Sequence, residues 1–132
     1  MTRYAIDAGI ALRLIREGSD AGRRHQLVGP VVLRSHALAT LYRDVRAGAI
    51  SEAEGRRQLE RVAEMKIRLL GDRVSRATAW KIADRLGWDD IGSSEYLAVA
   101  SLQADALVTL DEDLAAAAAG IVPLASYKDL LR

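Results

Sequence analysis

The chain has no cysteine among its 132 residues. That absence excludes disulfide scaffolds, thiol catalysis and Cys-ligated zinc or iron–sulfur sites, and it fits a reducing cytosol. Histidine is nearly absent too. His25 and His36 are the only two, which argues against a His-rich metal site. There is no phenylalanine, so a core must come from Leu, Ala, Val and Ile, with Trp80, Trp88 and four tyrosines as the only large rings. An excess of either charge is also missing. The sum of 19 Lys+Arg and 18 Asp+Glu is +1, which is not the bulk basicity of a histone-like nucleic-acid binder. A basic groove or an acidic pocket can still hide inside a neutral total. No apolar run reaches the roughly 20 residues that span a bilayer. The opening stretch is broken by Asp7 and Arg13 and has no signal-peptide cleavage site. We therefore expect a soluble cytoplasmic protein with no membrane partner. Half the residues are hydrophobic and 28% are charged. That composition and length suit a single domain over residues 1–132, and no linker or internal repeat divides it.

What is present is a chain of short strands and amphipathic helices. Arg3–Asp7 is strand-like and ends on an acid; Ile10, Ala11, Leu14 and Ile15 then follow at helical offsets. Residues 17–22 read as a loop, and Gly29-Pro30 reads as punctuation at the edge of an element. Leu38, Leu41, Tyr42 and Val45 mark a helix from Val31 to about Arg46. Ser51 and Glu54 have capping-box spacing, which opens a helix to about Met65. A strand is expected at Ile67–Leu70, and a helix capped by Ser75 ends at Gly87. After a loop at 88–92, Ser93 or Ser94 caps a helix to about Gln103. A strand at Ala106–Leu110 runs into Asp111. An alanine-rich helix spans Leu114–Ala119 before Gly120, followed by a strand at Ile121–Leu124 and a short closing helix. Strands separated by helices imply an α/β fold with a mainly parallel sheet.

Asp7 and Asp111 each directly follow a strand. In open parallel sheets, ligands bind just past the carboxyl ends of strands. Two carboxylates brought together there repel unless a cation lies between them, and hard divalent ions such as Mg²⁺ and Mn²⁺ prefer oxygen ligands. Such ions activate water and stabilise charge on a phosphodiester during displacement. The plainer reading of each Asp is the N-cap of the helix that follows it.

Two segments carry a resemblance. Tyr4-Ala5-Ile6-Asp7-Ala8-Gly9-Ile10-Ala11-Leu12 resembles the opening of PIN-domain proteins. Glu95-Tyr96-Leu97-Ala98-Val99-Ala100, followed by Ala104 to Ala115 with Thr109-Leu110-Asp111 and Leu114-Ala115, resembles that family's closing signature. The similarity covers nearly the whole chain and is strongest to the VapC-like toxin ribonucleases of bacterial toxin–antitoxin pairs. It implies a three-layer PIN-like sandwich, with a short, mainly parallel sheet flanked by helices. It also implies an endoribonuclease that uses Mg²⁺ or Mn²⁺, takes RNA as substrate, forms a homodimer and is neutralised by a cognate antitoxin.

Carried over by position, Asp7 is the first family acid and Asp111 the last. The sequence departs from the family at two positions between them: His36 stands where a Glu is usual, and Ser93 where an Asp is usual. Imidazole can ligate Mn²⁺ or donate a proton near a phosphate, and it can equally be a helix-face histidine with an ordinary hydrogen bond. Ser93 adds no charge and reads as a cap. Asp90, Glu95 and Asp113 are the nearby acids that would complete the site. Glu95 is also favoured near a helix N-terminus by the dipole alone. Moving an acid two places along a helix turns it by about 200°, which favours Asp90 over Glu95 as a replacement. The departures support a second expectation, a PIN fold with weakened or lost catalysis that serves as an antitoxin- or RNA-binding module. Leu38, Tyr42, Leu59 and Met65 are candidates for an antitoxin groove, with core packing as the default alternative. The positive charge is carried by 16 Arg and 3 Lys. Arg23, Arg24, Arg43, Arg46, Arg56, Arg57, Arg61, Arg68, Arg73 and Arg76 are candidates for a phosphate track, or simply a solvated surface.

Overall fold

The computed structural model describes residues 1–132. Its elements run β1 (Arg3–Ile6), α1 (Ala8–Arg16), α2 (Ala21–Arg24), β2 (Gln26–Pro30), α3 (Leu33–Arg46), α4 (Glu52–Glu64), β3 (Arg68–Leu70), α5 (Arg73–Leu86), α6 (Gly92–Gln103), β4 (Ala106–Val108), α7 (Glu112–Ala117) and α8 (Tyr127–Leu130). The four strands form one parallel sheet in the order β3-β2-β1-β4, flanked by helices. The α/β architecture expected from the sequence, a short parallel sheet flanked by helices, is therefore present. Helices α1, α3 and α4 pack together, α5 packs on α6, and α6 lies against β1 and β2. Ile6, Ile10, Leu12, Leu33, Leu97, Leu107 and Val108 are fully buried in one continuous apolar cluster. Burying such side chains is the main favourable term of folding, at about 1.5–3 kcal/mol each. No helix is long and apolar enough to cross a membrane.

The structure corrects the sequence reading at several places. The Gly29-Pro30 punctuation belongs to β2, an interior strand between β3 and β1. Pro30 is the last residue of β2, where a missing N–H costs least, and the next ladder bond is made by Val31 N–H to the Leu70 carbonyl at 3.0 Å. Gly29 is required by packing. A Cβ there would stand 3.0 Å from Leu33 Cδ1 and 3.3 Å from the Ile6 carbonyl. The expected strand at 121–124 is reduced to a single bridge between Leu124 and Leu107. Part of the expected loop at 17–22 opens α2. Helix α5 is capped by Asp72, whose Oδ1 accepts from Ser75 N–H at 2.8 Å. The Ser51 cap forms, but Glu54 does not return the bond. Its carboxylate is taken by Arg57 and Gln58.

Candidate active site

From β1 the chain moves to β2 and then β3 on one side of the sheet. It returns to place β4 on the other side of β1. The strand order therefore reverses between β1 and β4, and ligands bind outside the carboxyl ends at such a switch point. The Ile6–Val108 pair is the last of this ladder, so the chain exits as Asp7 on one strand and Thr109 on its neighbour.

Asp7 is half-buried and caps α1, its Oδ1 accepting from Ile10 N–H at 2.9 Å. Its Oδ2 accepts a short hydrogen bond from the Thr109 hydroxyl. The same hydroxyl accepts from Asp111 N–H at 3.0 Å, so Thr109 ties the two acids together. Asp111 is exposed and caps α7. Its Oδ1 accepts from Asp113 N–H at 2.9 Å and Leu114 N–H at 3.1 Å, which leaves Oδ2 free. Burial pushes the Asp7 carboxyl above its ordinary range, and the Asp111 charge pushes it the same way. The bonds from Thr109 and Ile10 pull against both. Both acids are thus helix caps, as the plainer reading expected. Capping alone does not account for the pair. Asn or Ser would cap either helix without placing a second negative charge beside the first.

Beside Asp111 opens a cleft of about 640 Å³ lined by Asp89, Asp90, Asp111 and Asp113, with Ser93 and Trp88, and by no Lys, Arg or His. Ser93 is exposed on this wall and is not a cap. Helix α6 begins after Ile91 with no side-chain cap, and Asp90 Oδ1 accepts from Gly92 N–H at 2.9 Å. Glu95 lies in the first turn of α6 and does not line the cleft. No three His, Asp or Glu side chains stand close enough to share one ion.

His36 sits in the first turns of α3, just past the carboxyl end of β2, at the same end of the sheet as Asp7. Its Nδ1 lies 2.8 Å from the Tyr96 hydroxyl. The imidazole and the phenol share this one hydrogen bond, with their rings tilted by 31° and centroids 5.6 Å apart. Burial, reinforced by the Asp7 charge, holds the Tyr96 hydroxyl well above its usual range, so it stays protonated. His36 therefore makes the ordinary hydrogen bond of the plainer reading. Tyr96 in turn feels the Asp7 charge. Thr109 and Tyr96 appear in the sequence only as markers of the closing signature. Their roles depend on strand register and on helix packing across the sheet.

Leu38 and Tyr42 are 51% and 65% exposed, which overturns core packing for both. With Leu41, Val45 and Leu59 they line a groove of about 600 Å³ between α3 and α4. Met65 lies elsewhere. Of the candidate arginines, Arg24, Arg56 and Arg57 are held by Asp20, Glu52 and Glu54.

No family model matches the sequence, and no curated protein matches it. Solved structures do match the fold. PAE2754 from Pyrobaculum aerophilum is 24% identical, with a TM-score of 0.75 over 98% of this chain and 93% of that one. VapBC2 from Rickettsia felis, bound to a DNA fragment from their promoter, is 8% identical, with a TM-score of 0.64 over 94% and 98%. VapBC-1 from nontypeable Haemophilus influenzae is 14% identical, with a TM-score of 0.62 over 96% and 98%.

Proposed function

We propose that the chain is a divalent-metal-dependent endoribonuclease, with Asp7 and Asp111 at its centre and a protein antitoxin as its partner. The observation that carries this reading is the meeting of two carboxylates at the switch point, after separate strands, tied together by the Thr109 hydroxyl. The donor set fits Mg²⁺ or Mn²⁺. Both groups are hard oxygen ligands, and Mg²⁺ is commonly held by one or two carboxylates plus waters and substrate phosphates. Asp7 and Asp111 would hold the ion, with Asp90 and Asp113 on the cleft wall as outer partners. Bound there, it supplies activation of water and neutralisation of charge on the scissile phosphodiester. Thr109 fixes the rotamer of Asp7, and the capped N-terminus of α7 fixes that of Asp111. Tyr96 and His36 form the wall behind them, joined by their shared hydrogen bond. The likeness to the VapBC structures supports the toxin–antitoxin assignment, and the open apolar groove of Leu38, Tyr42 and Leu59 is the surface an antitoxin helix would cover.

One observation favours a second reading: no third ionisable side chain joins the pair, and His36 and Ser93 stand where acids would complete it. In that case the protein is an antitoxin- or RNA-binding module with little catalysis. A Mn²⁺ titration of RNA cleavage separates the two. Metal-dependent cutting that disappears in both Asp7→Asn and Asp111→Asn supports the nuclease. A folded protein with no cutting and no Mn²⁺ binding selects the module, and His36→Glu with Ser93→Asp should then restore both.

A further inference from the structure

At the opposite end of the sheet, where the strands begin, lies a cavity of about 520 Å³ unrelated to the cleft above. Arg3 opens β1, His25 precedes β2, and Lys66 and Arg68 lead into β3. All four line the cavity, and no Asp or Glu does. None of Arg3, Lys66 or Arg68 forms an ion pair with a carboxylate. The six such pairs in the molecule all involve other arginines. The Arg3 Nε–H donates to the neutral Gln26 side chain at 2.9 Å, and the nearest acid, Asp105, caps the Arg3 backbone N–H. His25 stands beside them, its ring edge-on to Tyr4 with centroids 5.1 Å apart.

The cavity continues into a second hollow of about 440 Å³. The two share Gly22, Leu27, Met65 and Lys66 along their walls, and the second is also lined by Arg23 and Arg61 together with Asp20 and Glu64. A single small anion would fill only part of such a trough. An extended polyanion with repeated charges can meet Arg3, Lys66 and Arg68 together.

We propose that this trough binds the phosphates of a single nucleic-acid strand, as a second contact surface at the end of the sheet remote from the acidic cleft. The choice of nucleic acid among polyanions rests on the proposed function. The test therefore excludes metal, so that a failure of the nuclease reading leaves it intact. A fluorescently labelled single-stranded RNA is titrated with protein in a chelator and followed by anisotropy over a range of salt. The proteins are wild type, Arg3→Gln/Arg68→Gln, and Lys81→Gln/Arg85→Gln as a charge-matched control on α5. All changes are at exposed positions, and circular dichroism checks that each variant is folded. The trough variant should bind about tenfold more weakly, and its salt slope should fall by about 1.4, which is two lost phosphate contacts on a single strand. The control should change by less than about twofold. Equal weakening of the two double variants, or none in either, overturns the proposal. So does a trough that inorganic phosphate stabilises against heat while the RNA fails to bind it.

Discussion

The two ends of one small parallel sheet carry opposite chemistry. At the carboxyl ends of the strands, the cleft wall holds four aspartates and no cation. At the amino ends, the cavity wall holds Arg3, His25, Lys66 and Arg68 and no acid. A net charge of +1 averages these into apparent neutrality. The difference teaches that a composition total is a poor guide to a surface when the fold sorts charge by strand end. The sorting also divides the tasks. The acidic end can hold a cation and repels phosphate without one. The basic end attracts phosphate whether or not metal is present.

The comparison breaks most sharply if activity does not follow the acidic end. Asp111→Asn should lower metal-dependent RNA cleavage by about 10²–10³-fold, the range for losing one charge-stabilising group, with binding in chelator unchanged. Both ends rest on a common core, so a cavity cut into it should disturb them together. Leu107 is fully buried in β4, the strand that leads to Asp111, and pairs with Ala5 of the strand that leads to Asp7. Leu107→Ala should cost about 2–5 kcal/mol in urea unfolding and weaken cleavage and RNA binding alike.

A smaller effect separates the ends by pH. Thr109→Val removes a bond that holds the Asp7 carboxyl down, leaving burial and the Asp111 charge to raise it further. The acid limb of the pH–rate profile should move to higher pH, while chelator-phase binding keeps its profile. The smallest effect concerns stability. The folded pKa of Asp7 is raised above its unfolded value, so its contribution is complete at low pH and is lost as pH rises through the folded value. Asp7→Asn keeps the cap and removes the charge. Its melting temperature should exceed that of wild type by a few degrees at neutral pH, and the gap should shrink on acidification. A variant that melts below wild type at neutral pH would show that burial and the Asp111 charge do not disfavour the ionised Asp7 carboxyl.

Much of this was legible in the sequence because it is local. The strand that ends at Asp7, the Thr-x-Asp after β4 and the helix with Tyr96 are short contiguous patterns, and each element formed. What escaped was non-local. β2 was hidden because Gly29 and Pro30 are poor strand formers in isolation, and only the approach of Leu33 and the Ile6 carbonyl explains the glycine. Thr109 became the link between the acids only through the parallel register of β1 and β4. The basic cavity gathers residues from three strand starts spread over more than sixty positions, so no window of sequence contains it. His36 and Ser93 were legible as departures, but their surroundings were not. Tyr96 claims one, and the cleft wall exposes the other.

Because Asp7 and Asp111 each begin a helix, each position is under two kinds of selection. A descendant that stopped cutting RNA would still lose α1 or α7 stability if either site drifted to Val or Leu, so drift there is confined to a short list of capping residues. Within that list Asn, Ser and Thr relieve the repulsion and Asp does not. Over evolutionary time an idle copy of this fold should therefore slide from aspartate to those neutral caps. Retention of both acids, against that downhill slope, is the mark that something still depends on their charge.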